Sequence, residues 1–203
     1  MSAPAATEAA HGGFALVDPD SGRTLKVLPF RYDPERLAHQ IAPGPSRGEA
    51  GYRLEAPSPT GPSAETITLE AEFEPVDRLD WPNDVPLPAR YGLHPVLAAL
   101  ETTMQPTSDH LLLQRDKARG GVLEIAPAES PLVVLVLGQS RVQPVQIVDY
   151  RVEEGEYDAS LNPGRAKVSL TLRVLTNDDL GFDHGGGLVY RNHQRIRRTN
   201  RPG

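Results

Sequence analysis

The stretch from Ala166 to Leu175 constrains this chain more than any other. Val168, Leu170, Leu172 and Val174 fall on one side, and Lys167, Ser169, Thr171 and Arg173 on the other. Strict alternation over about eight residues specifies a strand with one buried and one solvated face. Asn162-Pro163-Gly164 precedes it. That triplet predicts a turn, since proline presets φ and glycine accepts positive φ. Such a chain is built from long strands.

The same pattern recurs upstream. Ile67, Leu69, Ala71 and Phe73 alternate with Thr66, Thr68, Glu70 and Glu72, which predicts a strand over 65–74. Residues 14–17 and 24–32 flank the turn cluster Asp18-Pro19-Asp20-Ser21-Gly22 and predict a hairpin. Pro29 places the second of these strands at an edge or a bulge. Leu132–Leu137 is apolar throughout and ends at Gly138, the mark of a strand covered on both faces. From Val145 to Tyr157 another strand changes phase between Ile147 and Val148, which predicts a bulge. A short strand near Tyr52-Arg53-Leu54 would lie inside the Pro/Gly/Ser-rich loop 42–64.

Helical signals are few. Asp33-Pro34-Glu35 predicts a short helix start. Leu93, Val96, Leu97, Leu100 and Met104 form one apolar stripe, so a helix over about 93–104 packs on the sheet. With roughly six or seven strands joined by turns, the fold class is mainly β, an antiparallel sandwich or barrel with that one flanking helix.

Composition narrows the chemistry. The chain has no cysteine, which removes disulfides, thiolate catalysis and Cys-based zinc sites. The six histidines never stand at H-x-x-x-H or H-x-H spacing. His184-Gly185-Gly186-Gly187 is like the oxyanion loop of lipases, but no G-x-S-x-G elbow follows. A flexible glycine hinge is the expected reading. Glu70/Glu72 and Glu153/Glu154 are acid pairs, and Glu70 and Glu72 share the wet side of a strand, as ordinary solvated carboxylates or as a surface for a neighbouring subunit. With no nucleophile, base and orienting group in one constellation, the expectation is a protein that is not an enzyme and that uses no cofactor or metal.

Charge is unevenly spread. Arg191, Arg195, Arg197, Arg198 and Arg201 close the chain with no acid among them, while the first 190 residues carry 16 basic and 27 acidic groups. These arginines, with Glu70 and Glu72, are the candidate interface residues. The acidic body speaks against nucleic acid, and no apolar run is long enough for a transmembrane helix. The division expected is a flexible N-terminal arm (1–13), a β domain (14–176) and a glycine-hinged basic tail (177–203).

The order of motifs is similar to a family. Phe30-Arg31-Tyr32-Asp33-Pro34, then Thr68-Leu69-Glu70-Ala71-Glu72-Phe73, then Gly92-Leu93-His94-Pro95-Val96-Leu97-Ala98-Ala99-Leu100-Glu101 follow in sequence. The apolar run Pro131–Gly138 and the turn Asn162–Ala166 complete the set. Over roughly residues 14–176 this resembles the tube and baseplate-adaptor proteins of bacterial contractile injection systems, the phage-tail-like particles. The resemblance implies a tail-tube-like fold assembled as a ring of six copies. It implies partners in the inner tube protein and the central spike or hub, and contacts to sheath or baseplate wedge. It also implies residence in the bacterial cytoplasm within such a particle. Many adaptors carry a peptidoglycan-binding LysM module after this domain, and none follows here. Adaptor and other tube-like baseplate component therefore both stay open. The alternative from another class is a soluble β-sandwich module that binds carbohydrate or cell wall.

Overall fold

The computed structural model describes residues 10–19, 21–44, 46–47, 58–59, 61–74, 91–105, 112, 115–117, 119, 130–181 and 184–199. The chain is mainly β. Strands β1 (Ala10–Val17) and β2 (Thr24–Tyr32) form the expected hairpin, and a 3-10 turn over Pro34–Arg36 leads into β3 (Ala38–Ala42). Two short strands, β4 (Ser46–Arg47) and β5 (Ser58–Pro59), pair with each other. Then come β6 (Ala64–Phe73), α1 (His94–Glu101), β7 (Leu132–Leu137), β8 (Arg141–Tyr157) and β9 (Pro163–Val174).

Seven strands make one antiparallel sheet in the order β2-β1-β7-β8-β9-β6-β3. β2 also meets β6, at Arg31↔Glu72 and Tyr32↔Ala71, so six strands close into a barrel and β3 extends β6. Closure removes sheet edges that would otherwise invite pairing with other chains. Pro29 lies on the part of β2 that pairs only with β1, where its missing N–H costs no ladder bond.

The alternating residues fill the barrel. Ile67, Leu69, Ala71 and Phe73 of β6 and Val168, Leu170, Leu172 and Val174 of β9 are all buried. Phe14, Phe30 and Phe73 stack beside them, with ring centroids 4.9 and 5.8 Å apart. α1 adds Leu93, Val96, Leu97 and Leu100 to the same core. It stops earlier than the stripe suggests. The hydroxyls of Thr102 and Thr103 bond back to the carbonyls of Ala99 and Leu100 at 3.0 and 2.7 Å, and Met104 packs on the core from a turn beyond the helix.

The register of β8 against β9 shifts between Ile147 and Asp149, leaving Val148 as the bulged residue, as the phase change predicts. The turn before β9 lies earlier than Asn162-Pro163-Gly164. The Asp158 carboxylate accepts from the Ser160 and Asn162 amides at 2.7 and 2.9 Å, so the reversal spans Asp158–Asn162. Pro163 already pairs with Tyr157 as the first residue of β9, and its carbonyl accepts from the Leu93 amide at 2.9 Å. Gly92 makes that approach possible. Its φ is +52°, and a Cβ there would stand 2.5 Å from the Pro163 oxygen.

Both expected tails need correction. Ala10–Gly13 belong to β1 and pair with Pro29–Tyr32, so the N-terminal arm does not reach residue 13; residues 1–9 lie outside the described residues. The chain after Thr176 forms α2 (Asn177–Leu180) and α3 (Gly185–Thr199). Thr176 and Asp179 make a reciprocal cap at the start of α2. The triple glycine opens α3. His184 accepts from the Gly186 amide through Nδ1 at 3.1 Å. A Cβ at Gly186 would sit 2.7 Å from Leu180 and 2.8 Å from Leu132. Close packing of backbone, not a hinge, is what these glycines serve. The expected strand at 52–54 and Arg201 fall outside the described residues.

Candidate functional site

Glu70 and Glu72 stand on the outer face of β6, as the alternation requires. They are engaged within the chain. Glu70 accepts from Arg36 at 2.7 Å and meets Lys167 at 3.1 Å, and Glu72 accepts from the Arg165 Nε at 2.6 Å. The cross-strand register opposes Glu72 to Lys167, and Glu153 to the same lysine, so three strands build one ladder of alternating charge. The Arg36 hydrogen bond, with help from Lys167, holds the Glu70 carboxyl below its ordinary range, and Glu72 correspondingly raises Arg165. With Asp33 and Glu154 these groups line a concavity of about 410 Å³. Its chemistry is charge pairing between ionised groups in contact with water. Among the described residues, no cluster of three or more His, Cys, Asp or Glu could hold a metal ion.

The C-terminal arginines do not meet Glu70 or Glu72. Arg191, Arg195, Arg197 and Arg198 all lie on α3, whose inward side carries buried Gly186, Gly187, Tyr190 and His193. Arg195 and Arg198 are exposed, and Arg195 bonds Asn192 at 2.7 Å. Arg197 turns inward. Its Nη1 reaches the Glu65 Oε1 at 2.6 Å across 132 residues of sequence.

Glu65 is the anchor of a polar cluster that the motif search missed. It lies on the inward face of β6, in phase with Ile67 and Leu69, and is 4% exposed. His39 of β3 meets its Oε2 at 3.1 Å, and the Gln143 amide of β8 donates to the same oxygen at 3.5 Å. Burial alone would raise its carboxyl; the bonds from Arg197 and His39 bring it below the ordinary value. Beside it His193 is 4% exposed, and neither ring nitrogen has a partner among the described residues. This cluster fastens α3 to the barrel. The signal was present: an acid on the inward phase of a strand needs a base.

A second feature is the β8–β9 hairpin. β7 pairs with β8 only through Val145, so from Gln146 to Tyr157 the other edge of β8 faces no strand among the described residues. The hairpin also outruns β6, whose pairing with β9 ends at Phe73↔Ala166. At its tip Glu156 and Leu161 both adopt positive φ, 55° and 62°. Leu161 is 76% exposed on a loop pinned by Asp158, whose carboxyl is lowered by its bonds to Asn162. An apolar side chain held outward on a strained, pinned turn is a preorganised contact.

Compared with known proteins, the chain matches no family model and no curated protein. Among the described residues no helix is long and apolar enough to cross a membrane.

Proposed function

We propose that this chain is a structural subunit of a contractile injection particle, the baseplate adaptor that joins the inner tube to the spike. The observation that carries the reading is the edge of β8 from Gln146 to Tyr157, which no strand among the described residues covers and which ends in the preorganised Leu161 tip. A strand of this length left unpaired is a liability unless another chain covers it. The bulge at Val148 and the charges of Asp149, Arg151, Glu153 and Glu154 guard the edge in the free subunit. Copies arranged around an axis would cover it through a heterologous contact repeated in a ring.

In this reading the partners are sister subunits in a ring of six, the inner tube protein, the spike or hub, and sheath or wedge proteins. The role is mechanical, without catalysis, inside a particle assembled in the bacterial cytoplasm. The ordered motifs from Phe30 to Ala166 support it, as does the single closed sheet with a flanking helix.

Negative-stain microscopy of the purified protein, alone and mixed with an inner tube protein, tests the proposal. Rings or capped tubes are expected, and Leu161→Asp should weaken them. A monodisperse monomer that neither forms rings nor caps tubes at any concentration overturns it.

A further inference from the structure

A buried imidazole without a hydrogen-bond partner is costly, because each polar group taken from water forfeits bonds it had there. Among the described residues, His193 is such a group. It sits at the centre of the contact between α3 and the barrel, one turn from buried Tyr190 and one turn from Arg197. The charged and titratable groups that act on it are Arg197 on its own helix, Glu65 on β6, His39 on β3 and Arg141 on β8. α2 also packs on α3 and carries Asp178 and Asp179, of which Asp179 is paired with Arg173 at 2.9 Å and Asp178 acts on Tyr190.

A proton on His193 would find little help there. Arg197, Arg141 and a protonated His39 all oppose it. Glu65 alone favours it, and both Glu65 oxygens are already engaged, by Arg197 at 2.6 Å and by His39 at 3.1 Å. The Gln143 side chain, 1% exposed, has an Oε1 without a partner among the described residues, but one neutral acceptor does not replace water around an imidazolium.

We propose that α3 is an acid-released latch, closed while His193 is uncharged and opened when protonation makes the buried ring leave the barrel for water. Release uncovers the part of the barrel under Tyr190 and frees Arg197 together with the exposed basic face of Arg195 and Arg198. The inference is independent of the particle reading above; it concerns only how α3 is held.

The sign follows from burial. Desolvation, then the field of Arg197, lowers the His193 pKa in the docked state below the ordinary 6.5. The released ring therefore binds the proton more tightly, and docking is fully stable above pH 6.5 and weakens as pH falls below it. The linkage reaches about tenfold in the docking constant per pH unit.

The test uses the full-length protein. Hydrogen exchange of the α3 amides, corrected for intrinsic rates, is followed from about pH 7.5 to about pH 5.5, in the window where a single histidine proton is linked. Protection of α3 should fall up to tenfold per unit below the ordinary histidine pKa while β9 stays protected. In His193→Leu the α3 protection should be flat across the window. Wild-type protection that does not change, or an equal loss in His193→Leu, overturns the latch. Should His193→Leu fail to fold, the ring of wild-type His193 is titrated directly by NMR. A ring that gains its proton while α3 remains protected overturns the proposal equally, and a ring that titrates together with loss of α3 protection supports it.

Discussion

Replacing Arg197 by alanine separates a basic tail from a structural anchor. Glu65 is 4% exposed, and Arg197 supplies its shortest bond, 2.6 Å. Removing one partner of a buried ion pair leaves a charge out of water and costs about 3–5 kcal/mol. Two features reduce the figure here. His39 and Gln143 still reach the other oxygen, at 3.1 and 3.5 Å, and the Arg197 side chain is 30% exposed, so water can enter its place. We expect Arg197→Ala to cost about 2–3 kcal/mol. For a chain of this size that is a drop in Tm of roughly 4–12 °C. Arg198→Ala, one residue on and exposed, should stay within about 0.5 kcal/mol of the parent. Urea unfolding followed by circular dichroism measures both. The difference should also narrow in acid. The Glu65 carboxyl is lowered in the folded chain, so its contribution is complete above the ordinary value of 4.5 and is lost as pH falls below it. Equal stabilities for the Arg197 and Arg198 variants at neutral pH would refute the anchoring argument, since both remove the same formal charge from the same helix.

Two further outcomes follow from the packing. Gly92→Ala places a methyl 2.5 Å from the Pro163 carbonyl at φ +52°, and should cost roughly 1–3 kcal/mol by urea midpoint, whereas Gly155→Ala, with open space around it, should cost far less. Glu72→Gln breaks an exposed pair with Arg165 and should change stability by less than about 1 kcal/mol, an effect that shrinks further in high salt; a larger loss would mean that the outer ladder is not solvated.

Strands β6 and β9 are legible because their burial is one-sided. Ile67 to Phe73 and Val168 to Val174 alternate without error, and even the Val148 bulge left its mark as a change of phase. What alternation cannot carry is the partner. Nothing local states that β2 turns back to β6 at Arg31 and Tyr32, or that no strand among the described residues covers the other edge of β8 beyond Val145. The turn at Asp158–Asn162 was misplaced because Pro163 and Gly164 look like turn residues. At the first position of a strand a proline lacks only a donor that the ladder does not need there.

The C-terminal segment departs from the sequence expectation for a more general reason. The net charge of its arginines says nothing about faces. On a helix, Tyr190, His193 and Arg197 fall on one side, at steps of three and four, while Leu188, Arg195 and Arg198 fall on the other. The inward phase of β6 already contains Glu65, two residues before Ile67. A carboxylate buried at that position calls for a cation, and among the described residues the preceding strands offer on their inward faces His39 and the partly buried Lys26, whose ammonium is taken by the Pro95 carbonyl at 3.0 Å. The missing cation had to come from elsewhere in the chain. A helical stripe ending in arginine, with an aromatic and a histidine on the same face, brings both the charge and the apolar cover. An inward acid on a strand and an unassigned basic helix are thus a single observation, and together they predict that the last helix is part of the core.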